Sequence, residues 1–150
     1  MKTTHIKSIK IEKIFTELHN NFGGNLEIIS NEYKLDLNGN FGRGTIKGIA
    51  LKNGISYIEF DVTLTDEVVI SMMATKNLPI YFTYCSEGSV SHSFGGNSGS
   101  VALEKYQTGI LTCKRAEENI LTFKKEDRTK ISLIVVNTTK SETVEGSSLN

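Results

Sequence analysis

From residue 25 onward, apolar side chains recur at every second position, and this period constrains the fold more than any other feature. Successive side chains of a strand point to opposite faces, so a period of two means one face for a core and one for water. Tyr33, Leu35 and Leu37 alternate with Glu32, Lys34 and Asp36. Ile58, Phe60, Val62 and Leu64 alternate with Tyr57, Glu59 and Asp61. The residue choice agrees: 16 Ile, 8 Val, 15 Thr, 7 Phe and 5 Tyr stand against 4 Ala. Branched and aromatic side chains suit a pleated, half-buried surface, whereas Ala favours helix.

Only the beginning of the chain has a helical period. Ile11, Ile14, Phe15, Leu18 and Phe22 share one helical face, which predicts a helix over about 9–22. Ser8 is its candidate cap, and Gly23-Gly24 ends it. Beyond it, Asn38-Gly39-Asn40 and Gly42-Arg43-Gly44 read as turns. Thr45–Leu51 and Ile55–Leu64 read as a hairpin closed by Lys52-Asn53-Gly54. Further strands are expected over 68–74, 80–85, 89–94, 101–103, 108–113, 119–123 and 130–137, with a turn at Ser86-Glu87-Gly88. In the strand from Ile80, alternation is expected to turn Ile80, Phe82 and Tyr84 inward. The total is roughly nine or ten short strands at near-regular spacing, the pattern of a sandwich or small barrel.

A chain of 150 residues suits one domain able to bury a core of its own. With 17 basic and 17 acidic side chains it lacks the basic face by which proteins usually grip nucleic acid. No apolar run approaches the ~18 residues needed to cross a bilayer. The start lacks the layout of a secretory signal, so a cytoplasmic location is expected. Cys85 and Cys113 then read as reduced small hydrophobes.

The stretch Ile80-Tyr-Phe-Thr-Tyr-Cys-Ser-Glu-Gly-Ser-Val-Ser-His-Ser-Phe94 resembles the central hairpin of a cupin barrel, and Gln107-Thr-Gly109-Ile-Leu-Thr resembles its later turn. The run from Gly42-Arg-Gly-Thr-Ile-Lys-Gly-Ile through Asn53-Gly-Ile-Ser-Tyr57 to Ser91-His-Ser-Phe94 is similar to the N-terminal sensing domains of bacterial AraC-type transcription regulators. The likeness covers about residues 9–140. It implies a mainly β fold, a double-stranded β-helix (cupin, jelly-roll) barrel carrying one N-terminal helix. It also implies a small-molecule effector in the barrel mouth, and DNA contact only through a helix-turn-helix domain outside this chain. Residues 1–24 would pack on the barrel, 25–138 would form it, and 139–150 would lead toward the DNA-reading part.

Many cupin enzymes hold a metal with three His and one Glu. The resemblance puts the Glu position at Tyr81 and the last His at Ile120. The first two His positions fall at Thr75 and Asn77, or at Ala74 and Lys76. None of these is a ligand type, so no metal or cofactor is expected. Ser91-His92-Ser93 places hydroxyls beside an imidazole, but strand neighbours face opposite ways, and neither cysteine has an obvious base. The expectation is therefore that the chain is not an enzyme. His92 and Tyr84 read first as satisfied core residues and second as ligand contacts, and Arg43 first as a solvated loop cation and second as a ligand contact. The reading is a sensing domain that binds a small, mostly polar effector such as a sugar or metabolite, with pairing into a homodimer left open, and without touching membrane. The alternatives are a stand-alone cupin enzyme or sugar-binding protein, or a ligand-free dimerisation module.

Overall fold

The computed structural model describes residues 1–73, 79–95, 99–112 and 118–138. Among the described residues the elements follow in the order β1 (Lys2–Ile6), α1 (Ile11–Phe22), β2 (Asn25–Ile29), β3 (Glu32–Asn38), β4 (Gly42–Ala50), β5 (Ile55–Leu64) and β6 (Val68–Met73). Then come β7 (Ile80–Glu87), β8 (Ser89–Phe94), β9 (Val101–Glu104), β10 (Thr108–Thr112), β11 (Glu118–Phe123) and β12 (Thr129–Val136). One sheet has the order β1-β6-β11-β8-β9, the other β10-β7-β12-β5-β4-β3-β2. Eight of these strands form a double Greek key: β5-β12-β7-β10 in one sheet face β6-β11-β8-β9 in the other. The chain passes from sheet to sheet at almost every step, which is the jelly-roll connection. The expected fold class is the one observed.

The core lies between the sheets. Phe60 and Phe123 meet across it with ring centroids 5.2 Å apart. Ile58, Val62 and Leu64 from one sheet, and Val68, Ile70 and Leu121 from the other, are buried around them. Where the seven-stranded sheet extends past its partner, α1 covers it. Ile11, Ile14, Phe15, Leu18 and Phe22 are all buried, the face that the helical period marked. Gly48 makes this close approach possible, because any Cβ there would overlap the Phe15 ring. The helix starts two residues later than expected, with Lys10 at its cap; Ser8 Oγ accepts only the Lys10 N–H, at 3.1 Å, one step too early to cap the helix.

Several expectations are corrected. Strands β1 and β2 were not anticipated. β2 has Ile28 and Ile29 side by side, both exposed, so no alternation marks it. β1 owes its strand form to parallel pairing with β6, a non-local cause. Gly42-Arg43-Gly44 is no turn but the start of β4, paired with Leu64, Thr63 and Val62. Ser86 and Glu87 belong to β7, and β7 and β8 are not a hairpin: they lie in different sheets. The chain turns the corner at Gly88, whose φ of 70° and approach to the Arg128 carbonyl leave no room for a side chain.

The face of β7 is also the reverse of the expected one. Tyr81, Thr83 and Cys85 are buried, while Phe82 and Tyr84 are 42% and 40% exposed on the outer face. Both faces of this strand carry large side chains, so its own pattern is ambiguous. The register decides, since a slip of one residue swaps faces. Tyr81, Thr83 and Cys85 lie directly opposite Val135, Leu133 and Ile131 of β12, all buried. Outside, Ile110, Phe82, Ile134 and Tyr57 form one row across β10, β7, β12 and β5.

Cys113 and residues 139–150 lie outside the described residues. No helix of the described residues is long and apolar enough to cross a membrane.

Candidate functional site

Toward the edges formed by β9 and β10, the two sheets part. A cavity of about 700 Å³ opens between β8–β9 and β7–β10. Its floor is Val90, Leu121 and Ile131, each at most 2% exposed. Its walls carry Thr83, His92, Phe94, Leu103 and Leu111, and its rim includes Val101, Tyr106 and Gln107. The volume falls within the roughly 300–1,000 Å³ usual for small-molecule sites. By contrast, the space left inside the aromatic core near Phe22, Phe60 and Phe123 is only about 10 Å³, so that part of the interior is filled by side chains.

Polar groups in the wall are held by their neighbours. His92 Nε2 lies 2.7 Å from Asn119 Oδ1, to which it donates, and its ring meets Phe94 edge-on with centroids 5.0 Å apart. Asn119 is fully buried one position along β11, opposite Phe94. The Thr83 hydroxyl donates to the Gly109 carbonyl at 3.0 Å, tying β7 to β10 beneath the mouth. The neighbouring Cys85 thiol points into the core and donates to the Glu87 and Gly88 carbonyls at 3.3 and 3.4 Å. Burial pushes this thiol up from its ordinary value, which suits a packed hydrophobe and not a nucleophile.

The three candidate contacts thus part company. His92 is half-buried and lines the cavity. Tyr84 is on the outer face, beside Ser132 and Thr108, so its inward placement is withdrawn. Arg43 is exposed on β4 and borders a separate surface hollow of about 300 Å³ with Thr63, Thr65 and Glu126. Missed by the sequence reading were Asn119 and Thr83. Asn119 alternates onto the face of Leu121 and Phe123, and an Asn on an apolar face was a usable signal, since a buried amide needs a polar partner.

Among the described residues the donor set does not suit a metal ion. Of the positions the resemblance assigned to ligands, Tyr81 is a buried phenol, and Ile120 alternates with the inward-facing Asn119 and Leu121 and so points away from the cavity. Thr75, Asn77, Ala74 and Lys76 lie outside the described residues. Among the described residues no three His, Cys, Asp or Glu side chains converge, and the one imidazole of the cavity is bound to Asn119.

No family model matches the chain, and no curated protein does. Solved structures do. A cupin-2 domain protein from Shewanella frigidimarina NCIMB 400 is 16% identical, with a TM-score of 0.42 over 59% of this chain and 76% of that one. The hydroxypropylphosphonic acid epoxidase from S. wedmorenis is 13% identical, with a TM-score of 0.46 over 76% of this chain and 59% of that one. A predicted oxalate decarboxylase from Thermotoga maritima is 12% identical, with a TM-score of 0.41 over 77% of this chain and 92% of that one. Two of these are named for enzymes, and the expectation that this chain is not an enzyme is corrected accordingly. A jelly-roll shell houses catalysis and binding alike, so exclusion on fold and motif alone does not stand. The strand order itself gives the chain its place: a cupin-type jelly roll with a cavity between its sheets.

Proposed function

We propose that this is a small-molecule-sensing domain of the kind found in AraC-type transcription regulators, with its effector held in the cavity between β8–β9 and β7–β10. The observation that carries the reading is the 700 Å³ cavity, with a buried apolar floor and a few oriented polar groups. That composition is typical of sites that bury most of a small ligand and orient it by a few hydrogen bonds.

An occupant would touch both sheets at once. On one side it meets His92 and Phe94 of β8, on the other Thr83 of β7 and Ile131 of β12. β12 is the strand from which the chain runs on past residue 136. An effector that fits one spacing of the sheets better than another biases that spacing, and only such a difference in affinity can shift an equilibrium. DNA binding by a helix-turn-helix part outside these residues would be the readout.

The test is a thermal-shift screen of sugars, aromatic acids and neutral metabolites on the wild type and on Val101→Trp. Val101 is 70% exposed at the rim, so the indole can block the mouth without disturbing the core. Saturable stabilisation of the wild type that Val101→Trp abolishes supports the reading. Hits that stabilise both proteins equally contradict it.

A further inference from the structure

The hydrogen bonds of the wall have a direction, and it restricts what the cavity can hold. His92 spends its Nε2–H on Asn119 Oδ1, which leaves Nδ1 as a lone-pair acceptor. Thr83 spends its O–H on the Gly109 carbonyl, which leaves only oxygen lone pairs. The buried wall therefore offers acceptors and no spare side-chain donor at these two groups. Beneath them Val90, Leu121 and Ile131 form an apolar floor.

Beside His92 and Thr83 an anion would lose its hydration and meet lone pairs, and the other side-chain donors of the lining, Tyr106, Gln107, Thr108 and Thr112, are all exposed, so burial of the charge goes uncompensated. A cation would be tolerated by acceptors, but an ammonium taken from water needs a counter-charge, and no Asp or Glu is among the described lining residues. A neutral molecule pays neither cost. We propose that the cavity takes an uncharged, largely apolar, ring-bearing molecule that donates one hydrogen bond, from a hydroxyl or N–H, to the His92 side. The edge of the His92 ring against Phe94 gives a flat ligand an aromatic wall to lie on. This inference rests on the proposed binding role of the same cavity.

Four matched probes separate the terms: 2-naphthol, 2-methoxynaphthalene, 2-naphthoate and 2-(aminomethyl)naphthalene. They share one ring system and differ in charge and in the donor. Each is titrated at pH 8 into the 15N-labelled full chain, following the amides of Val90, His92, Phe94 and Leu121. The expected result is saturable shifts with 2-naphthol, and binding at least tenfold weaker for the carboxylate and the amine. 2-Methoxynaphthalene, which lacks the donor, should bind several-fold more weakly than 2-naphthol, and His92→Phe should erase that difference. If His92→Phe fails to fold, the naphthol–methoxynaphthalene pair on the wild type still decides the donor. Shifts of the same amides by the naphthoate or the amine at equal or lower concentration would overturn the inference while leaving the binding role standing. Absence of saturable shifts with all four probes would overturn both.

Discussion

Replacing Gly88 by Ala tests whether the chain really turns a corner there between two sheets. Two costs add. A φ of 70° puts an L-residue in the left-handed region, at about 1–2 kcal/mol. The new Cβ would also overlap the Arg128 carbonyl oxygen and sit 3.2 Å from Thr129 Cα, both backbone atoms at the start of β12. Relief requires the β7–β8 corner or β12 to move, which overpacking data put at about 1–3 kcal/mol. Urea unfolding of Gly88→Ala should give a loss of about 2–5 kcal/mol, with an unchanged slope. In a protein of this size that is a melting temperature lower by roughly 5–15 °C. A loss no larger than the backbone cost alone, about 1–2 kcal/mol, would refute the close approach of the corner to β12, and with it the crossing of sheets at this point.

Three other outcomes follow from the geometry. Tyr81→Ser should cost about 3 kcal/mol and Tyr84→Ser less than about 1, because Tyr81 is 5% exposed and Tyr84 40%; the reverse order in denaturant unfolding would mean that β7 is one residue out of register. Asp61 accepts both Arg128 nitrogens at 3.0 and 3.1 Å, and that guanidinium holds its carboxyl below the usual carboxylate range. The stability contributed is present above the unfolded value of about 3.9 and is lost as pH falls through the lowered one. Since this pair is partly solvated, Arg128→Ala should cost little at pH 7, and its deficit should close as unfolding is measured progressively below pH 4. A deficit that persists in acid would show that Arg128 acts through packing. In a Cys113→Ser background, Cys85 should react with a disulfide reagent only as fast as the protein opens, and fast reaction in the native state would contradict its burial.

Most of the fold was legible in the chain because it is written in local alternation. Leu35 and Leu37, Ile58 to Leu64, and Val90 with His92 all face the way their neighbours imply. The helix was legible for the same reason, through the spacing from Ile11 to Phe22. What escaped is decided by distant partners. β1 exists because β6 offers an edge, and β7 faces as it does because β12 sets the register. That single register moved Tyr84 from the candidate site to the outer surface. His92 survived as a cavity residue since only one face of β8 is apolar, whereas Asn119, its partner, comes from a strand 27 residues away in sequence.

The central claim is that a small molecule lodges between the sheets beside His92. Its most direct measurement is a set of intermolecular NOEs between 2-naphthol and the labelled protein. The account predicts NOEs to Phe94, Leu121 and Ile131, which face the cavity from β8, β11 and β12. NOEs confined to Phe82, Ile134 and Tyr57, the row on the outer face of β7, β12 and β5, would contradict it.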